Sequence, residues 1–297
     1  MRSFVPIGVI VLLSGGLALI VSYLWHRQEN TENSSTSDFP TLEDDWVVEN
    51  LHWGNDQRNG LGLNFVNSMS LDWHEFFDEA VEDWDAAPSL FLTTSQDGLL
   101  SCNHLRGKIR VCNDEFGDTG WLGINEAIYY EYGDGKENII VSSVAKINES
   151  YLREASDSQK QYVVCHEIGH AFALAHRYEE GSCLIATTQK FSLNMRPDSV
   201  DFEKLQNLYG VFDTNRNRRR NMRSKHDEIN EEIATSFRWN YRNGRLLHQS
   251  TYQEIYETQL GDGLKVMTLL LLHKTGEGVV VFKNILQTIE IAFKMQT

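Results

Sequence analysis

The sequence is short of three things: cysteine, proline and positive charge. Four cysteines in 297 residues are too few for a disulfide-dense scaffold and leave room for two bridges, one metal site or neither. Four prolines exclude a proline-rich stalk. Lys and Arg number 27 against 42 Asp and Glu, a formal net charge of -15. Such an acidic balance repels phosphate, so nucleic acid is not among the expected partners. What is present is a hydrophobic fraction of 41% with 11% aromatics, the composition of a globular chain long enough for one well-buried domain with something appended.

Charge is absent altogether from Phe4 to Trp25, a run that would span about 33 Å as a helix. It exceeds the roughly 7 to 15 residues of a signal-peptide apolar core and is followed by no small-residue cleavage site. Residues 1–27 therefore read as an N-terminal membrane anchor, with a cleaved signal segment as the alternative. Residues 28–58 are polar and acidic and read as a spacer. A folded domain is expected over 59–212. Within it, strands are predicted at 61–66, 90–94, 108–112, 121–131 and 138–147. Helices are predicted over 71–85, 158–174 and 201–209. The run NRNRRRNMRSK marks a basic linker over 213–228. Beyond it, 229–297 reads as a small β-rich C-terminal region, with turns at Asn243-Gly244 and Asp262-Gly263.

The informative stretch is VVCHEIGHAFALAHR, which sets His166, Glu167, His170 and His176 in the pattern HExxHxxxxxH. Helical residues four apart are rotated by only about 40°, so His166 and His170 project from one face and can share a metal ion. Glu167, one step round, can reach a water on that metal without ligating it. His176 joins them only if the helix stops near Ala173 and the chain bends back. A distant carboxylate such as Glu203 is the competing third ligand. Three neutral imidazoles suit Zn2+ and leave a fourth position open, the layout of a catalytic site. Zinc lowers the pKa of water to about 7 and polarises a carbonyl, while a carboxylate carries the proton to the leaving amine. The implied chemistry is peptide-bond hydrolysis, with protein or peptide as substrate.

These residues resemble the metzincin zinc metalloproteases, most closely the matrixin-like enzymes, whose pattern is HExxHxxGxxH followed by a Met-containing turn. The resemblance covers about 61–210. It implies His166, His170 and His176 as zinc ligands and Glu167 as general base. The implied fold is α+β: a twisted mixed five-stranded sheet with a long active-site helix, here preceded by the N-terminal membrane helix. It also implies that substrate pairs as an extra strand on a sheet edge, which by analogy assigns Trp121, Leu122 and Gly123 to substrate binding. Two positions depart from the pattern. Ala173 stands where the family has glycine, and an alanine forced to positive φ costs on the order of 1 kcal/mol. Leu184 stands where the Met turn has methionine, an exchange that typically costs under about 1.5 kcal/mol.

Cys102 and Cys112 flank a turn at Arg106-Gly107 that can bring them together. Cys165 precedes the first motif histidine, and Cys183 lies in the segment that must return beneath the zinc. Both pairs are expected disulfides, against four free thiols or a cysteine ligand to the metal. The pairing predicts an oxidising compartment, with the protein membrane-anchored and its catalytic domain extracytoplasmic, or secreted. Ca2+ is the candidate second cofactor, for the loops EFGDTG and EYGDGKEN, whose spacing is not that of an EF-hand. The leading function is a zinc-dependent endopeptidase. Its rival is a catalytically weakened binding module on the cell surface.

Overall fold

The computed structural model describes residues 51–54, 59–97, 100–132, 137–177, 179–186, 191–212, 240–261 and 263–273. The membrane segment 1–27, the spacer up to residue 50 and the basic linker 213–228 lie outside them. Among the described residues, no helix is long and apolar enough to cross a membrane.

In chain order the elements are β1 (Leu51–Trp53), β2 (Leu61–Ser68), α1 (His74–Asp85), β3 (Leu90–Gln96), β4 (Lys108–Asp114), β5 (Trp121–Tyr132) and β6 (Glu137–Asn148). There follow α2 (Glu149–Leu152), α3 (Asp157–Ala171), α4 (Ser199–Tyr209), β7 (Arg245–Gln249), β8 (Gln253–Gly261) and β9 (Leu264–Leu272). The strands form one mixed sheet in the order β3-β2-β4-β6-β5-β9-β8-β7, with β1 beside β6. β2, β3, β4 and β6 are mutually parallel where they pair, and β5 runs antiparallel to β6.

The helices explain which sheet positions are apolar. α1 buries Phe77, Ala80, Val81 and Trp84 at helical spacing, and α3 is buried at every position from Gln161 to Ala171. Together with Phe65, Phe172 and Tyr162 these residues make the main core. β5 is buried continuously from Trp121 to Tyr129. Unbroken burial is the mark of a strand covered on both faces rather than one alternating between core and water.

The mixed α+β architecture is the expected one, but among the described residues the sheet has nine strands rather than five. One addition is β1, inside the segment that composition assigned to the spacer. Its residues pair with Asn138–Ile140 of β6. The others are β7–β9, which continue the sheet: β9 pairs antiparallel with β5, and β8 and β7 follow. Asn243-Gly244 does not join two strands. Tyr241–Asn243 form a single 3-10 turn that leads into β7. Residues 250–252 connect β7 to β8, and Gly263 lies between β8 and β9, as the Asp262-Gly263 turn predicts.

β5 is tied to β6 by a buried charge cluster as well as by its ladder. Lys146 Nζ donates to Glu126 Oε2 at 2.6 Å, and His104, bonded to Ser142 Oγ, lies 3.5 Å from the same oxygen. Burial pushes the Glu126 carboxyl up, but Lys146 and His104 more than offset this and hold it at about 2 against an ordinary 4.5. A carboxylate depressed in the folded state contributes stability that is complete above its unfolded pKa and lost as pH falls through the folded one. Glu126 should therefore supply about 3 kcal/mol at neutral pH that disappears between pH 5 and 2. Urea midpoints measured across that range should fall less steeply for Glu126→Gln than for the parent. Equal slopes would show that the cluster contributes nothing.

Candidate active site

The site is built on the C-terminal half of α3. Ser156 caps the helix start, its side chain accepting from Gln159 N. Two features fix the rest of the helix against its surroundings. Trp84 Nε1 donates to Cys165 O at 3.1 Å, and Cys165 is bonded to Cys183. Gly169 is needed for close approach, because a Cβ there would lie 2.6 Å from Leu184 and 2.7 Å from Trp84. Leu184 thus forms the fully buried floor under the helix where the family pattern has methionine. The other expected bridge, Cys102–Cys112, is also present, so none of the cysteines is free.

α3 ends at Ala171, and its last carbonyls are capped by side chains from distant segments. Trp53 Nε1 donates to Ala171 O at 2.7 Å, and Tyr209 Oη donates to Phe172 O at 2.8 Å. Ala173 then takes a left-handed conformation, φ +69°. That single residue turns the chain so that His176 comes back over the helix. The three rings meet: the Nε2 atoms of His166, His170 and His176 lie 2.9, 3.0 and 3.1 Å apart.

Backbone carbonyls set the ring states. His166 Nδ1 donates to Cys183 O and His170 Nδ1 to Leu174 O, both at 2.7 Å. A ring nitrogen facing a carbonyl must carry the proton, so each Nε2 is left with a lone pair aimed at the others. Burial pushes all three rings toward the neutral form, His170 to about 4, and the neighbouring imidazoles add to the effect for His166 and His176. Two of the three convergent nitrogens therefore present lone pairs, and the one proton that His176 could place there cannot satisfy all three contacts. A single cation satisfies all of them, and the all-nitrogen donor set suits zinc.

Glu167 is fully buried beside this cluster, and neither of its carboxylate oxygens has a hydrogen-bond partner. Burial raises its pKa well above the usual carboxylate value. β5 passes directly against it. A Cβ at Gly123 would lie 2.4 Å from Glu167 Oε1, so this position admits only glycine without moving the carboxylate. Two residues on, Asn125 Nδ2 donates to Glu167 O at 3.0 Å.

Trp121, Leu122 and Gly123 therefore lie on the strand that borders the site. In this structure β9 pairs with that strand, Leu272 opposite Trp121 and Leu271 opposite Gly123. β8 follows, with Gln253 opposite Leu271. The buried Gln253 side chain meets His176. Its Nε2 donates to His248 at 2.8 Å.

Residue-type patterns alone did not find the group that holds the returning loop. Arg177, next to His176, donates to Asp198 at 2.5 Å and to Asp201 at 3.0 Å. Ser182 Oγ donates to Asp201 at 2.6 Å and accepts from Leu184 N at 3.0 Å. Asp198 and Asp201 also form the capping box of α4. The signal was legible in part, since an acidic residue three positions after an N-cap aspartate marks a helix start. Its connection to Arg177 was not. Glu203, the competing ligand, is exposed on α4, away from the imidazole cluster. The first of the Asp/Gly-rich loops is closed by protein groups: Asn148 Nδ2 donates to Gly117 O and Thr119 Oγ1, and Tyr151 Oη to Asp118. Residues 133–136 of the second lie outside the described residues.

The family model described as Matrixin matches residues 52–210, more than half of the chain. No curated protein matches it. The matched range starts within β1 and ends one residue beyond α4, so it includes both elements whose side chains cap α3.

Two substitutions probe the turn. Ala173→Gly removes the left-handed penalty of roughly 1–2 kcal/mol but gives back backbone entropy to the unfolded chain, so stability should rise by about 0.5–1 kcal/mol. A fall in the thermal midpoint would contradict this. Arg177→Met strands the buried Asp201 carboxylate and should destabilise by about 3–5 kcal/mol in urea unfolding. A loss below about 1 kcal/mol would show that the pair is not what holds the loop.

Proposed function

The chain belongs to the matrixin family, and from that membership we propose that it is a zinc-dependent endopeptidase acting on protein or peptide substrates. The observation that carries this reading is the convergence of three buried imidazole Nε2 atoms within 3.1 Å, beside a buried carboxylate without a partner. His166, His170 and His176 hold the metal. When bound, zinc supplies Lewis-acid polarisation of a carbonyl and makes a water acidic near neutral pH.

The chain's own residues do the rest. Cys183 O and Leu174 O keep two of the rings in one tautomer and orientation, the usual role of groups behind metal ligands. Glu167, with two free oxygens, accepts the proton of the attacking water and passes it to the leaving amine. Its raised affinity for a proton suits that transfer better than an ordinary exposed carboxylate would. Gly123 leaves the space that the carboxylate occupies. Trp121, Leu122 and Gly123 are proposed to bind substrate through the outer edge of β5. The two disulfides support an oxidising, extracytoplasmic setting.

The purified chain should take up one equivalent of zinc and cleave labelled casein in a chelator-sensitive reaction. Glu167→Gln should keep the metal while turnover falls by roughly 10²–10⁴. His176→Ala should lose the metal. Undiminished cleavage by Glu167→Gln would overturn the mechanism.

A further inference from the structure

A peptide can reach the imidazole cluster along the outer edge of β5, because the backbone of that strand passes against the Glu167 side chain at Gly123, and the Asn125 side chain ties the strand to Glu167 O. An extended substrate adds to such an edge by main-chain hydrogen bonds. In the folded chain the edge is taken. β9 pairs with it from Trp121 opposite Leu272 to Tyr130 opposite Leu264, and His273 N continues the contact by donating to Gly120 O at 2.9 Å. Behind β9, Gln253 of β8 rests against His176.

We infer that the β8–β9 hairpin is an internal occupant of the peptide-accepting edge and keeps the site closed to substrate until it is displaced. The inference rests on the peptidase reading given above. Three features support it. The occupant runs antiparallel to β5, so it uses the backbone donors and acceptors that an added peptide would use. It is held by apolar side chains, with Val266, Met267, Leu269, Leu270 and Leu271 all buried. And it belongs to the same chain. A tethered strand acts at an effective concentration on the order of millimolar, so a micromolar peptide competes at roughly a thousandfold disadvantage. β7–β9 also lie beyond the range matched by the family, 52–210, which contains every group of the cluster itself.

The test uses the zinc-loaded full chain carrying Glu167→Gln, so that fluorescein-labelled casein binds without being cut. The observed binding rate should level off as casein concentration rises, because opening of β9 limits it. Adding Leu270→Pro, which breaks a strand paired on both sides, should raise that plateau and tighten binding at least tenfold. Hydrogen exchange should show Trp121–Tyr132 losing protection in this variant while Asp157–Ala171 keep theirs. If α3 also loses protection, the parent alone decides: a plateau supports the inference, and a rate that climbs linearly with casein overturns it. Release of β9 without tighter binding overturns it too, as does casein binding by neither protein. A chain that takes up no zinc fails the peptidase reading itself, and the inference falls with it.

Discussion

Everything at the site depends on one backbone reversal. α3 presents His166 and His170 on one face, and no regular continuation of the helix could bring His176 to them. The left-handed residue at Ala173, φ +69°, makes the reversal, and an L-residue in that conformation opposes it. The strain is sustained by what surrounds it. Trp53 and Tyr209 cap the last carbonyls of the helix, and Arg177 anchors the returning strand to Asp198 and Asp201. β1 and α4, remote from the histidines in sequence, therefore belong to the machinery that assembles them.

Polar groups around the helix end are satisfied in a way that leaves the three imidazoles facing one another. The carbonyls of Cys183 and Leu174 consume the Nδ1 protons, and burial keeps the rings neutral. The Nε2 atoms of the three rings are left facing one another, and both Glu167 carboxylate oxygens lack a partner. A cation held by the three imidazoles would offset the cost of burying them. The disulfide between Cys165 and Cys183 joins the residue before His166 to the residue whose carbonyl orients that ring.

The sheet joins this chemistry to the C-terminal region. The same strand, β5, touches Glu167 at Gly123, pairs with β6 on one side and takes β9 on the other. Covering the outer edge of β5 from within the chain removes an exposed strand that would invite association with other chains.

The pairing of His166 with His170 was legible in the sequence because helical periodicity is local: spacing of four residues is enough to align the two rings, and the neighbouring Glu167 follows. Ala173 and Leu184 could be marked as departures for the same reason, each read against a short pattern. The disulfide pairs were also accessible from turns and from the returning segment. Long-range partners were not. Nothing in the composition of Leu51–Trp53 distinguishes a strand from an acidic spacer, since β1 is set by pairing with β6 and by the bond of Trp53 to Ala171 O. Nothing in the sequence ties Arg177 to Asp201, which is buried against it. The C-terminal strands were visible as strands, but alternation and turn residues carry no information on which edge a strand will join. The sequence by itself determined that two imidazoles and a carboxylate stand together at one end of a helix, because their spacing is local. Only the tertiary structure decided what caps the helix that presents them, what bends the chain back, and that β9 lies along the open edge, because those contacts join residues whose proximity depends on the whole sheet.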